Sequence, residues 1–200
     1  DDVIPWYAPL ARAIPALVLA AVVTFSADHS APLGLLTLGL YAAASGAAMT
    51  VFAARAASGT VRTVQLVQGV ITLIAGVMSL AMVNAGLPFF LFLLSSFAAV
   101  TGFLELYLGL RGRGKDSSAR DWIFVGALTA LLAIVVLLVP PGFVQPFEGT
   151  NGFEGQLTAS VIVVGALGAY LAIIGVYLVI AALSLKWAPE PAAAATEEAR

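Results

Sequence analysis

No cysteine occurs anywhere in the chain, which excludes disulfides, thiolate metal sites and cysteine nucleophiles. Histidine appears once, as His29, so histidine-rich metal centres and haem held by two histidines are excluded too. Charge is scarce: 10% of the residues are Asp, Glu, Lys or Arg, against about 25% in a soluble globular domain. Apolar residues make up 61% of the 200, and the mean hydropathy is +1.02. Such a chain cannot wrap a core in a wetted surface, so lipid must be the solvent for most of its side chains. It reads as an integral membrane protein.

Catalytic signatures are missing as well. The sequence has no phosphate-cradling glycine loop, no nucleophile elbow, no HExxH and no pair of carboxylates within an apolar run. No enzymatic activity, catalytic residue, cofactor or metal is expected, and no nucleic-acid partner.

What is present is a set of six apolar runs, at about 8–25, 33–54, 64–83, 89–110, 122–139 and 158–185. About 20 residues of helix cross a hydrocarbon core, and in lipid the backbone must satisfy itself, so each run is expected to be a helix. The fold class is therefore all-α, with one six-helix transmembrane domain over 1–187 and a disordered cytoplasmic tail over 188–200. The first run follows Arg12 and has the look of a secretory signal, but it fills a helix slot and is expected to be a retained span.

Six spans place both termini on one side. All nine basic residues, Arg12, Arg55, Arg62, Arg111, Arg113, Lys115, Arg120, Lys186 and Arg200, fall on that side. The opposite loops carry Asp28, Glu148 and Glu154 and no cation. The positive-inside rule makes the termini cytoplasmic, and a composition flavoured by alanine, with arginine favoured over lysine, points to a bacterial inner membrane. Trp6, Trp122 and Trp187 sit at the same ends of their spans, as headgroup-layer anchors do. Arg12 lies slightly inside span one, and its long stem can snorkel outward.

A skeleton recurs along the chain: Tyr41, Gly46 and Arg55, then Phe97, Gly102 and Arg111 at the same spacing, then Tyr170, Gly175 and a later Lys186. It suggests a helical hairpin used three times, as spans 1–2, 3–4 and 5–6, with outer turns near Pro32, Pro88, and Pro140 with Pro141. Small residues mark where helices meet: Ala42 to Ala48, and Gly165, Gly168 and Gly175 on span six, beside Gly46 and Gly102. The longest outer loop, about 140–157, repeats Phe-Glu-Gly around an Asn151–Gly152 turn signal.

Glu105 is the ionisable residue deepest in a span, where charge is costly and marks function or a structural pair. Its expected partners are Arg12, Arg55, Arg62, Gln65 and Gln68. The mid-span hydroxyls of Thr72, Ser79, Ser95, Ser96, Thr101 and Thr129 read as packing groups. On the outer side, His29 next to Asp28 has the chemistry of a pH sensor but more often such a histidine is inert.

The stretch Gln68–Gly69–Val70–Ile71–Thr72–Leu73–Ile74–Ala75–Gly76, then Pro88, then Thr101–Gly102–Phe103–Leu104–Glu105 with Arg111, resembles the HdeD-like family of six-span bacterial membrane proteins. The likeness returns in Gly126 to Pro140 and Gly175 to Leu183 and covers roughly 10–186; the first hairpin departs from it at Pro15. The resemblance implies a link to acid stress and no catalytic residues. The expected function is thus non-enzymatic: helix–helix interaction with membrane lipids and other membrane-protein subunits as partners, in envelope stress or as an accessory subunit of a respiratory-type complex. The alternative is a small transporter or proton pathway centred on Glu105.

Overall fold

The computed structural model describes residues 5–116, 118–148 and 154–187. Six helices long and apolar enough to cross a membrane dominate it: α1 (Tyr7–Phe25), α2 (Ala31–Ala56), α3 (Gly59–Ala81), α4 (Leu87–Gly112), α5 (Ala119–Leu138) and α6 (Ala159–Lys186). All six expected spans are present, each within a few residues of its expected limits. The chain is an all-α, multi-pass membrane protein.

The ends of the helices follow local chemistry. Pro32 and Pro88 occupy first-turn positions of α2 and α4, where the missing N–H costs nothing and the fixed φ suits a helix. Gly86 precedes α4 with φ +84, a backbone conformation that a side chain would strain. Thr158 caps α6 by accepting from the Val161 N–H. Arg55, Arg111 and Lys186 stand in the last turns of α2, α4 and α6, so the cations that bias topology also face the negative ends of three helix dipoles.

Two strands interrupt the helical plan: β1 (Val144–Glu148) and β2 (Glu154–Thr158) form an antiparallel ribbon with Glu148 opposite Glu154. The turn signal was legible there, and the strands were not. The Asn151–Gly152 turn and the 188–200 tail lie outside the described residues.

The expected packing units need correcting. The outer turns do join helices 1–2, 3–4 and 5–6, but the closest pairings are α2 with α3, α4 with α5, and α1 with α6. Glycine explains this. A Cβ at Gly46 would run into the backbone of Gly69 and Leu73, one at Gly102 into that of Ala130, and one at Gly175 into Leu17. Gly168 likewise meets Val23. Close backbone approach is a main source of helix association in lipid, and the glycines lie on these three seams. Gly165 is the exception: its Cβ would meet open space, so it is not a packing glycine.

The even helices α2, α4 and α6 are the more buried set, with 44%, 44% and 50% of their apolar windows inside, against 33% for each odd helix. α2 touches both α4 and α6, while each odd helix packs closely on one even helix and more loosely on a second. On the side of the ribbon the interior is dry: Leu35, Phe90, Leu94, Val163, Val164 and Leu167 are wholly buried. Outward faces carry Phe25, Phe92, Phe103, Leu137 and Leu138, all highly exposed and suited to lipid contact.

The seam geometry makes a direct prediction. Gly102→Val pushes a side chain into helix backbone that cannot yield, and overpacking of this kind costs about 1–3 kcal/mol. Gly165→Val, in open space, should leave the melting temperature close to wild type. Thermal unfolding of the two variants in one detergent separates them; equal losses would mean that the seams are not glycine-dependent.

Candidate functional site

Glu105 sits on the inner face of α4, seven residues before its end, so about 10 Å along the axis at 1.5 Å per residue. Its carboxylate accepts from Arg12 Nη2 at 3.1 Å, with side-chain exposures of 4% for Glu105 and 18% for Arg12. Arg12 therefore turns inward, as one of the expected partners of Glu105, and does not snorkel outward. The physical reason is the partner: a guanidinium in a span gains more from a buried carboxylate than from stretching along lipid. Gln68, on α3, lines a space that Glu105 also borders.

Of the five expected partners, the structure brings Arg12 to the carboxylate and Gln68 to the space beside it. Arg55 and Arg62 stand exposed at the helix ends and take no part. Gln65 lines the approach to the pair rather than the pair itself.

That approach is a cavity of about 120 Å³. It runs from Ala57 and Ser118, at the helix ends on the side of the termini, down to Arg12 and Glu105, with Phe52, Asp121, Trp122 and Leu185 among its walls. Asp121 is held in place by the Tyr177 hydroxyl, which donates to Oδ1 at 2.6 Å, while Tyr177 stacks on Phe124 with ring centroids 4.0 Å apart. Trp122 is thus half-buried in the cavity wall, not a plain interface anchor. Trp6 and Trp187 remain exposed at 39% and 72%, and Lys186 Nζ lies 4.8 Å from the Trp6 ring centroid, tying the start of α1 to the end of α6.

Behind the ion pair lies a second, smaller chamber of about 10 Å³. Arg12, Met49 and Glu105 border both spaces, so the pair stands between them. Tyr41, Phe97 and Tyr170, the three aromatics of the recurring skeleton, all line this chamber. Tyr41 and Tyr170 meet edge to face at 6.4 Å, and the Tyr170 hydroxyl shares a 3.0 Å hydrogen bond with Thr129. Thr101 and Thr129 also donate to Phe97 O and Val125 O of their own helices, and Ser79 reaches Leu35 O across the α2–α3 seam. Those hydroxyls pack as expected.

Ser45 was not legible as a site residue. It lies in the alanine-rich face of α2, yet it is 1% exposed and its hydroxyl, like Gln68 Oε1 and Arg12 Nε, is buried without a partner. Asp121 was likewise hidden at the edge of a polar linker. The one available signal was heptad-like spacing: Tyr41, Ser45 and Met49 fall four apart, on one face of α2.

The pair itself is testable by stability. Removing one member of a buried ion pair strands the other charge, at about 3–5 kcal/mol, whereas replacing both with apolar groups is often neutral. Arg12→Met and Glu105→Leu should each lower the melting temperature strongly, and the double variant should recover most of the loss. Additive losses would show that the two side chains act separately.

No family model, no curated protein and no solved structure matches this chain.

Proposed function

We propose that the chain is a small membrane transport protein whose operative site is the Arg12–Glu105 pair. The observation that carries this reading is the pair's position: it ends a cavity open at one set of helix ends and stands before a polar chamber in the middle of the bundle. A pair serving only to hold helices together has no need of an open approach, and ionisable side chains inside a span that face a cavity commonly mark ion and proton pathways. On the ribbon side the packed apolar layer of Leu35, Phe90, Leu94 and Val164 supports a state closed to that face.

The orientation belongs to the same proposal. The basic residues of the helix ends and linkers put the cavity mouth on the cytoplasmic face of a bacterial inner membrane. The accessory-subunit and stress readings draw nothing comparable from the geometry.

Two experiments bear on this. In proteoliposomes with a pH gradient, wild type should dissipate the gradient with a pH-sensitive dye inside, and Glu105→Gln should abolish that flux while remaining folded. A Glu105→Gln protein that conducts as wild type would sink the reading. Because the chain has no cysteine, Lys115→Cys and Gln145→Cys report topology cleanly. An impermeant maleimide added to intact cells should label the Gln145 variant and spare the Lys115 variant.

A further inference from the structure

The small chamber contains an unsolved hydrogen-bonding problem. Arg12 Nε, Ser45 Oγ and Gln68 Oε1 all belong to residues bordering it, and all three are buried without a partner. Buried polar atoms almost always find one, and three orphans around one small cavity ask for a common answer. One of them is a donor of a charged group, one an acceptor, and the hydroxyl is either. A molecule able to accept from Nε–H, donate to the amide oxygen and settle the hydroxyl needs both capacities at once. Water has them. The chamber volume of about 10 Å³ lies at the lower edge of what one water requires, roughly 10–15 Å³ with two to four polar partners.

We propose that this chamber binds a single water molecule held by Arg12 Nε, Ser45 Oγ and Gln68 Oε1, and that this water lets Glu105 accept and release a proton. The second half rests on the transport reading. When a hydronium ion in the cavity gives its proton to the carboxylate, one O–H bond breaks on the hydronium, which leaves as water, and one forms on Glu105, whose charge is lost; the guanidinium then stands without a counter-ion. A water already bound to Nε–H keeps that cation solvated, so neutralising Glu105 does not leave a bare charge in the bundle. The groups facing the site are Arg12 from α1, Tyr41 from α2, Gln68 from α3, Asp121 from α5 across the cavity and Tyr170 from α6. Arg12 is the cation among them. The chamber admits nothing larger than water in this arrangement, so beyond the pair only water or a proton fits.

X-ray radiolytic footprinting with mass spectrometry tests the water. Hydroxyl radicals form from bound water in place, so Tyr41 and Tyr170, 1% and 5% exposed, should be labelled several-fold faster than wholly buried Phe90, which borders neither cavity. Ser45→Val fills the chamber and should bring the tyrosines down to the Phe90 rate; it should also slow proton flux several-fold, with unchanged detergent elution as the folding control. Tyrosines labelled as slowly as Phe90 in wild type would overturn the water site. Normal flux in a labelled-out Ser45→Val protein would overturn the water's role in proton uptake while leaving the transport reading intact. A wild-type protein with labelled tyrosines and no flux would instead remove the transport reading and with it the second half of the proposal.

Discussion

A charged pair inside an apolar bundle sets the terms for everything around it. Each ion loses its hydration on entering such an interior, and only good geometry and further hydrogen bonds offset the loss. The Arg12–Glu105 contact at 3.1 Å supplies the first, and polar side chains around the pair bear on the second. The remaining demand shapes the centre of the molecule: tyrosines, threonines and a serine gather there from five helices in a chain otherwise poor in polar groups. The surrounding polar side chains Tyr41, Ser45, Gln68, Thr72, Thr101, Thr129 and Tyr170 are all buried.

The pair in turn depends on how closely the helices approach. α1 brings Arg12 inward because Gly168 and Gly175 let α6 lie against Val23 and Leu17. α4 presents Glu105 from a seam in which Gly102 and Gly126 meet the backbones of α5 and α4 respectively. Glycine at these places is a matter of distance and not of flexibility: a methyl group there would push the helices apart and pull the guanidinium from the carboxylate. Small residues and the central charges are thus parts of one arrangement, although they are separated in sequence.

Much of the architecture could be read from the chain alone. Six spans were legible because hydropathy in lipid is a one-dimensional signal. Glu105 stood out because an ionisable group in such a run is rare, and Arg12 and Gln68 stood among its expected partners. The rest needed three dimensions. Arg12 was read as able to snorkel as well as to pair with Glu105, since one helix cannot reveal which way a long side chain turns. Pairing of α2 with α3, and not α1 with α2, depends on which glycine faces which backbone, and periodicity does not encode that. Gly165 has the right spacing on α6 and still faces open space. Ser45 was lost among alanines, and Asp121 among linker charges. The ribbon of β1 and β2 escaped because five-residue strands beside 20-residue apolar runs carry a weak pattern.

The two halves of the bundle differ in a way that bears on any passage through it. On the terminal side the space between helices is lined by Gln65, Asp121 and Ser118 and can hold water. Past Tyr41, Phe97 and Tyr170 the interior becomes Leu35, Leu38, Phe90, Leu94, Val164 and Leu167, all fully buried. A proton released toward the ribbon side meets a mainly aliphatic and aromatic layer, in which the Ser79 hydroxyl is already bonded to Leu35 O, so the layer must part before release there. The seams glued by glycine backbone contacts resist such parting. The looser joints, α1 against α2, α3 against α4 and α5 against α6, do not share those contacts. On the transport reading the moving units are therefore the three close pairs, shifting as rigid bodies against one another, with the Arg12–Glu105 contact spanning two of them. Protonation of Glu105 would weaken the ion pair described between those bodies, which puts the trigger for the movement on the joint that has to move.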